Sequence, residues 1–276
     1  MGVMAIDLNS FFQIPSGAAS SFWDVCMNII YSLLGTTPAQ YSADTYEVVV
    51  KSFYPFAFGL GTTMLNIFFV VGMIRQSSNI KENMTTEMWI ELAIKMVIAN
   101  FIMLNGLTIM NDFFDIASLL SQIFMGSSKI TIFNDEADAS AALFYVAFGL
   151  VYIGCSIFCG ISILLVVLQR FLELYLCMIA APFALSTWAG GRGIENTSYA
   201  WIKSFLASCF QIVVIAIVLR LGSFMMKSTS FFSWDGSVIG FLDGQYKALI
   251  SMVEMFFLRM AVKNSYGWLE KTFNLR

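Results

Sequence analysis

The chain has 276 residues, of which 58% are hydrophobic and only 12% are charged. Soluble globular domains contain about 45–50% apolar and about 25% charged residues, so this composition excludes a water-soluble enzyme and a disordered chain. The net charge of −3 provides no basic excess that would neutralise a nucleic-acid backbone. The sequence has no histidine, which excludes catalysis, metal binding and pH sensing by imidazole. An integral membrane protein with several spans remains.

The first 50 residues are mixed in polarity and predict an extracytoplasmic amphipathic segment. Ile14 to Gly17 has the composition of a turn. Residues 18–34 then carry apolar side chains at helical spacing, which predicts a helix that lies on the membrane surface or packs against a partner. Asp7 is the first charged residue, so we expect no cleaved signal peptide with a basic start.

Five apolar stretches predict membrane spans. They cover residues 52–74, 89–110, 139–169, 174–191 and 204–226. Each has the length that a helix needs to cross a hydrocarbon core of about 30 Å. Residues 113–124 predict a short amphipathic helix that follows the second span. Pro182 predicts a kink or break inside the fourth span, because proline lacks the backbone donor of a helix.

The C-terminal 50 residues predict a short apolar helix over 248–262 and a polar tail. The distribution of Lys and Arg favours five spans, with the N-terminus outside and residues 248–276 in the cytoplasm. The sequence therefore predicts an all-α protein, a polytopic membrane helix bundle of about five spans with amphipathic N- and C-terminal helices. Its predicted parts are residues 1–50, the transmembrane bundle 51–226 and the C-terminal segment 227–276.

Charged residues within the apolar segments are the candidate functional residues. They are Glu91, Lys95, Arg170, Glu173, Arg220 and Glu254. A charge inside a bilayer is costly and marks a functional site by default. Arg220 needs a carboxylate or water, and Glu173 and Glu254 are its candidate partners. Two interpretations stay open: ion pairs that hold the bundle together, or a polar lumen or subunit contact.

Four of these charges form two pairs by their spacing. Glu91 precedes Lys95 by four residues, the favourable order for an ion pair on one helix face. Arg170 and Glu173 are three residues apart and also share a face. We expect both pairs to lie on polar sides of helices that face other helices or a wet cavity.

The sequence contains no catalytic constellation. The glycine-rich residues 190–193 lack the spacing of a phosphate-binding loop. Serine and cysteine have no histidine to act as their base, and we interpret the five cysteines as small packing residues. We expect no enzymatic activity, no bound metal and no cofactor.

A longer pattern resembles a known family. The matching segments are QRFLELYL at 169–176, AAPFAL at 180–185, WIKSFLA at 201–207 with Gln211, and the polar span 88–110 with NDFFD at 111–115. They are similar to the central-to-late region of the TrbL-type polytopic inner-membrane subunit of conjugative type IV secretion systems. The variants of Gram-positive mobile elements are the most similar, and the resemblance covers about residues 45–225.

The resemblance implies a structural channel subunit in the cytoplasmic membrane, a multi-pass protein at the membrane base through which a DNA–protein substrate is moved. It implies homo-oligomers and contacts with membrane lipid and with the other membrane and stalk subunits of the system. A relaxase-bound single strand is a further partner that the resemblance allows and the sequence does not show. Arg170, Glu173, Pro182, Lys203 and Gln211 match the family pattern, and we expect structural and assembly roles for them.

The alternative is a small-molecule or ion transporter. Buried charges and a helix interrupted at Pro182 favour it. A transporter predicts an inverted repeat, and residues 52–110 and 139–191 do not align in charge or glycine placement.

Overall fold

The computed structural model describes residues 8–77, 86–126, 139–190, 193–228 and 243–272. Within these ranges 96% of the residues are helical and none is in a strand. The predicted all-α fold is confirmed.

The helices are numbered in chain order. They are α1 (Leu8–Leu34), α2 (Pro38–Tyr41), α3 (Ala43–Val48), α4 (Tyr54–Ser77), α5 (Thr86–Met125), α6 (Ala139–Ser186), α7 (Asn196–Ser228) and α8 (Asp243–Thr272). A π-helical stretch, Val49–Phe53, connects α3 to α4, and a 3₁₀ turn, Thr187–Gly190, follows α6.

Four helical segments of the described chain are long and apolar enough to cross a membrane. They are Ala43–Arg75, Trp89–Met125, Gly149–Gly190 and Asn196–Met225. A protein with such segments is a membrane protein by composition and length. Helices α1 and α8 do not belong to this group.

The prediction of two separate spans over 139–169 and 174–191 is wrong, because α6 is one helix of 48 residues. The polar residues between the two apolar stretches, Gln169 to Glu173, are good helix formers, so they lower the hydropathy without ending the helix. Pro182 lies inside α6, which continues to Ser186. The number of helices that qualify as spans is therefore four in the described chain.

Two predictions about short segments are also wrong. Residues 113–124 are not a separate helix, because α5 runs without interruption through Asn111 and Asp112. Ile14 to Gly17 is not a turn but part of α1, which begins at Leu8. Burial of Ala19 and Trp23 in the next turns favours the helix, and such tertiary packing overrides a weak local preference for a turn.

The contacts divide the chain into two compact units. One consists of Met1–Gly35, Leu120–Leu168 and Val213–Ser265. In it, the Ser156 hydroxyl of α6 donates to the Ala19 carbonyl of α1 over 2.8 Å. Gly160 lets the two helices approach so closely that an added Cβ would meet Cys26 at 3.2 Å. Small residues thus fix α1 on the first half of α6.

The other unit consists of Thr36–Leu119, Gln169–Ile212 and Tyr266–Arg276. In it, α4 packs against the end of α6, and an added Cβ on Gly61 would lie 2.8 Å from the Pro182 backbone oxygen. The Tyr54 hydroxyl donates to the Met103 carbonyl of α5 over 3.3 Å. The boundaries predicted at residues 50 and 226 remain a prediction.

Candidate functional site on helix α6

One stretch of α6 connects to two other elements through consecutive side chains. We call residues 169–175 the α6 hub. The Arg170 Nε atom donates to the Ser208 carbonyl of α7 over 3.3 Å. The Phe171 ring stacks on Tyr41 of α2, with centroids 4.3 Å apart and planes 8° apart. The Tyr175 hydroxyl donates to the Pro38 carbonyl of α2 over 2.7 Å.

The helical period explains this arrangement. Successive side chains are turned by about 100°, so neighbours such as Arg170 and Phe171 face different elements. Phe171 and Tyr175 are four residues apart and share the face toward α2. Leu174 is fully buried within the hub. The segment therefore packs on several sides at once.

Arg170 is the principal charge of the hub, and only 1% of its surface is exposed. The ion pairs among the described residues are Lys51–Glu47, Lys95–Glu91 and Lys95–Glu195. The expected Arg170–Glu173 ion pair is therefore wrong, although the two charges interact at longer range. Arg170 turns toward the Ser208 carbonyl, while Glu173 Oε1 accepts a hydrogen bond from Gln169 Nε2 over 3.0 Å.

Three polar atoms of this region are buried without a hydrogen-bond partner. They are Arg170 Nη1, Glu173 Oε2 and Gln211 Oε1. Gln211 follows Ser208 by three residues, so it lies on the same side of α7 as the carbonyl that Arg170 binds. A buried polar group without a partner is costly. The hub therefore has one donor and one acceptor without a hydrogen-bond partner, and α7 adds a second such acceptor, Gln211 Oε1, beside it.

The end of α8 adds a hydroxyl to the same side of α7. The Tyr266 side chain hydrogen-bonds with Ser204 and Ser208. Burial raises the pKa of Tyr266, and these hydrogen bonds lower it to a smaller extent. Ser208 therefore takes part in two hydrogen bonds: its carbonyl accepts from Arg170, and its side chain bonds with Tyr266.

The other predicted charges lie outside the hub. Lys95 Nζ is 3.1 Å from Glu91 Oε1 and 3.5 Å from Glu195 Oε2. Glu195 directly precedes α7, where a carboxylate also suits the positive end of the helix dipole. Lys95 therefore connects α5 to the start of α7, which the sequence did not predict.

The two candidate partners of Arg220 are wrong. Arg220 Nη1 donates to the Phe124 carbonyl over 2.8 Å, at the end of α5. The last four carbonyls of a helix have no partner within it, so they attract such donors. Glu254 is half-buried and forms no ion pair within the described ranges. Burial raises the pKa of the Glu254 carboxyl to about 7.

The five residues of the family pattern do not converge on one point. Arg170 and Glu173 belong to the hub, and Gln211 lies beside it on α7. Pro182 contacts Gly61 of α4 further along α6, and Lys203 is exposed on α7. The sequence reasoning missed Tyr41, Phe171, Tyr175, Ser208 and Tyr266. Only the aromatic residues inside QRFLELYL gave a signal that could have indicated this packing.

No protein family, curated protein or solved structure matches this chain. Within the described ranges, no three carboxylate or thiol groups lie together as a metal site requires. The fold and the four apolar segments define the class, which is that of α-helical membrane proteins.

Proposed function

We propose that this protein is a structural membrane subunit of a conjugative type IV secretion channel. It lies in the cytoplasmic membrane as a multi-pass protein and forms part of the base through which a DNA–protein substrate is moved. It acts without enzymatic chemistry. One observation carries the proposal: the segment that resembles the TrbL-type family, QRFLELYL, is the segment that links α6 to α2 and α7.

The contacts of this segment are those of a scaffold. Arg170, Phe171 and Tyr175 reach backbone or ring atoms of neighbouring helices and not an open surface. A channel subunit must hold its helices in register while its partners and its substrate move. Side chains that connect three elements at one level of the bundle serve that role.

The proposed partners are further copies of this chain, the other membrane and stalk subunits, and lipid. Large apolar side chains are exposed along α5 and α6, among them Phe101, Leu104, Leu150 and Leu165. Such surfaces face lipid or the apolar surface of another subunit. The relaxase-bound single strand is the proposed cargo of the assembly.

The test is an in-frame deletion of the gene in its native element, with complementation in trans. We expect transfer of the element to be lost and to return with the complementing copy. Immunoblots of the other secretion subunits provide the control for polar effects on neighbouring genes. Normal transfer from the deletion strain contradicts the proposal.

A small-molecule or ion transporter is the second candidate, and one observation favours it. Arg170 presents a free donor inside a segment of membrane-spanning length, as an anion-binding residue of a transporter does. The same deletion strain separates the two functions. Unimpaired transfer together with altered uptake of small anions into membrane vesicles places the transporter first.

A further inference from the structure

Two fully buried side chains, one on α6 and one on α7, each hold a polar atom without a partner in the protein. Arg170 is 1% exposed and Gln211 is 4% exposed, and both belong to the same compact unit. The Arg170 Nη1 atom is a donor and the Gln211 Oε1 atom is an acceptor, and neither has a hydrogen-bond partner among the described residues. A buried polar group in this condition has lost its contacts with water and received nothing in return.

The geometry of α7 directs these two groups toward the same turn. The Arg170 Nε atom donates to the Ser208 carbonyl over 3.3 Å, and Nη1 belongs to the same rigid, planar guanidinium. Gln211 follows Ser208 by three residues, and a long side chain on a helix leans back toward the preceding turn. The Gln211 amide therefore extends toward the turn whose carbonyl holds Arg170, although no direct hydrogen bond joins the two side chains.

A third polar atom without a partner is the buried Oε2 of Glu173 on α6. Its other oxygen, Oε1, accepts from Gln169. The charges of Glu173 and Arg170 interact without forming an ion pair. Glu173 also interacts electrostatically with Tyr266, whose side chain bonds with Ser208. Glu173 thus adds a second acceptor near the contact between α6 and α7.

One donor and two acceptors define the kind of ligand that suits this site. The positive charge of Arg170 repels a cation, and the oxygens of Gln211 and Glu173 repel an anion. Water can accept one hydrogen bond and donate two, which is the complement of the three groups. Buried waters make about three hydrogen bonds to groups that otherwise lack partners, whereas apolar cavities stay dry.

We propose that a buried water molecule accepts from Arg170 Nη1 and donates to Gln211 Oε1 and Glu173 Oε2. This water joins α6 to α7 beside the direct bond between Arg170 and the Ser208 carbonyl. It also gives the guanidinium a hydration partner inside the apolar segment Gly149–Gly190. The site requires only the folded chain, so it does not depend on the secretion function.

The experiment uses the purified full-length chain in lipid nanodiscs and short X-ray pulses that split water into hydroxyl radicals. Peptide mass spectrometry then measures the oxidation of individual side chains, and a radical that forms at a bound water reacts with its neighbours. Cys209 is fully buried and interacts with the charge of Arg170, so it reports on the site. Cys26 on α1 is also buried, at 4% exposure, and is the internal reference. We expect Cys209 to be oxidised several times faster than Cys26.

Gln211→Leu removes one acceptor while it keeps a side chain of similar size. The loss of one hydrogen bond lowers the occupancy of the water by up to about tenfold, and we expect the ratio of Cys209 to Cys26 oxidation to fall accordingly. The matched control is Ser223→Ala, which removes a buried hydroxyl elsewhere on α7. We expect this control to leave the ratio unchanged.

Four results overturn the proposal. They are equal oxidation of Cys209 and Cys26 in the wild type, a ratio that Gln211→Leu leaves unchanged, an equal fall in Ser223→Ala, and a fall to the Cys26 level when chloride is added. The third reduces the effect to a general loosening of α7, and the fourth assigns the site to a small anion. If Gln211→Leu does not fold, Arg170→Met removes the donor and provides the same comparison.

Discussion

Among the described residues, Arg170 is a fully buried arginine without an ion pair. The free energy lost when such a charge leaves water is larger than the free energy that one hydrogen bond to a carbonyl contributes. Arg170 nevertheless lies inside the apolar segment Gly149–Gly190, with its Nη1 atom unpartnered. A residue that is unfavourable for stability is expected to be kept for function.

Arg170→Met tests this reasoning because it removes the charge and keeps an unbranched side chain of similar reach. Replacement of buried charges by apolar residues is often neutral or stabilising by about 1–4 kcal/mol. We expect an equal or higher melting temperature in detergent and at least a tenfold loss of transfer. Leu172→Met, at an exposed position of the same helix, is the control and is expected to change neither quantity. A clear fall in melting temperature for Arg170→Met contradicts the interpretation.

Glu254 gives a prediction on pH. Burial raises its pKa in the folded protein to about 7, above the value near 4.3 of an unfolded chain. The folded state thus binds this proton more tightly, so stability falls as the pH rises from about 4.3 to about 7 and stays low above that.

Glu254→Gln removes the ionisable group and is expected to flatten this profile. The expected gain at pH 8 is roughly 1–2 kcal/mol, reduced from the full effect because the carboxyl is partly solvated. Thermal unfolding between pH 5 and pH 8 measures it, and Glu47→Gln, at an exposed carboxyl, should keep the wild-type profile. A wild-type melting temperature that rises over this range is the contrary result.

Among the helices, α4 approaches the backbone at the end of α6 closely. Pro182 lacks the backbone donor of a helix, and Gly61 of α4 lies against the backbone at this point. The absence of a side chain lets the two backbones meet, as small residues do in membrane bundles. The same helix offers a second glycine, Gly59, with no atom near its added Cβ.

Gly61→Ala should therefore destabilise the protein while Gly59→Ala does not. The new Cβ of Gly61→Ala would stand 2.8 Å from backbone atoms of residue 182, which cannot turn aside as a flexible side chain does. We expect a loss of about 1–3 kcal/mol, whereas Gly59→Ala gains up to about 1 kcal/mol of helix propensity. Unfolding in mixed detergent and SDS micelles measures both. Equal effects of the two variants would exclude a steric cause.

The sequence predicted the helical class well because long apolar stretches have few alternatives in a membrane. It failed where one helix contains a polar interruption, since hydropathy measures polarity and not the continuity of backbone hydrogen bonds. The partners of Arg170 and Arg220 are backbone carbonyls. Every residue carries such a carbonyl, so no pattern of side chains indicates which one accepts. Tyr41 and Phe171 lie far apart in the sequence, and helical spacing predicts contacts only between residues a few positions apart.

For the whole molecule, the number of crossings decides the orientation. If Gly149–Gly190 crosses once, instead of twice, we expect the segment after α5 and the segment before α7 to lie on opposite sides of the membrane. If each of the four apolar segments crosses once, the chain before Ala43 and after Met225 also lies on one side. The basic residues of that C-terminal part favour the cytoplasm for it; they are Lys227, Lys247, Arg259, Lys263, Lys271 and Arg276.

Single cysteines at Ser128 and Thr197 test this arrangement in a variant without the five native cysteines. A membrane-impermeant maleimide added to intact cells should label Thr197→Cys and not Ser128→Cys. Permeabilised cells, in which both positions should react, provide the control. Labelling of both positions from outside would show that the stretch between them crosses an even number of times.

The bond between the Tyr175 hydroxyl and the Pro38 carbonyl spans 137 residues of sequence. Ribosomes add about 5–20 residues per second, so Pro38 is synthesised roughly 7–27 s before the tyrosine that binds it. Throughout that interval the stacking face of Tyr41 also lacks its partner ring, Phe171. The N-terminal segment therefore docks fully only after the later helices have been inserted. Until then it must remain able to bind them.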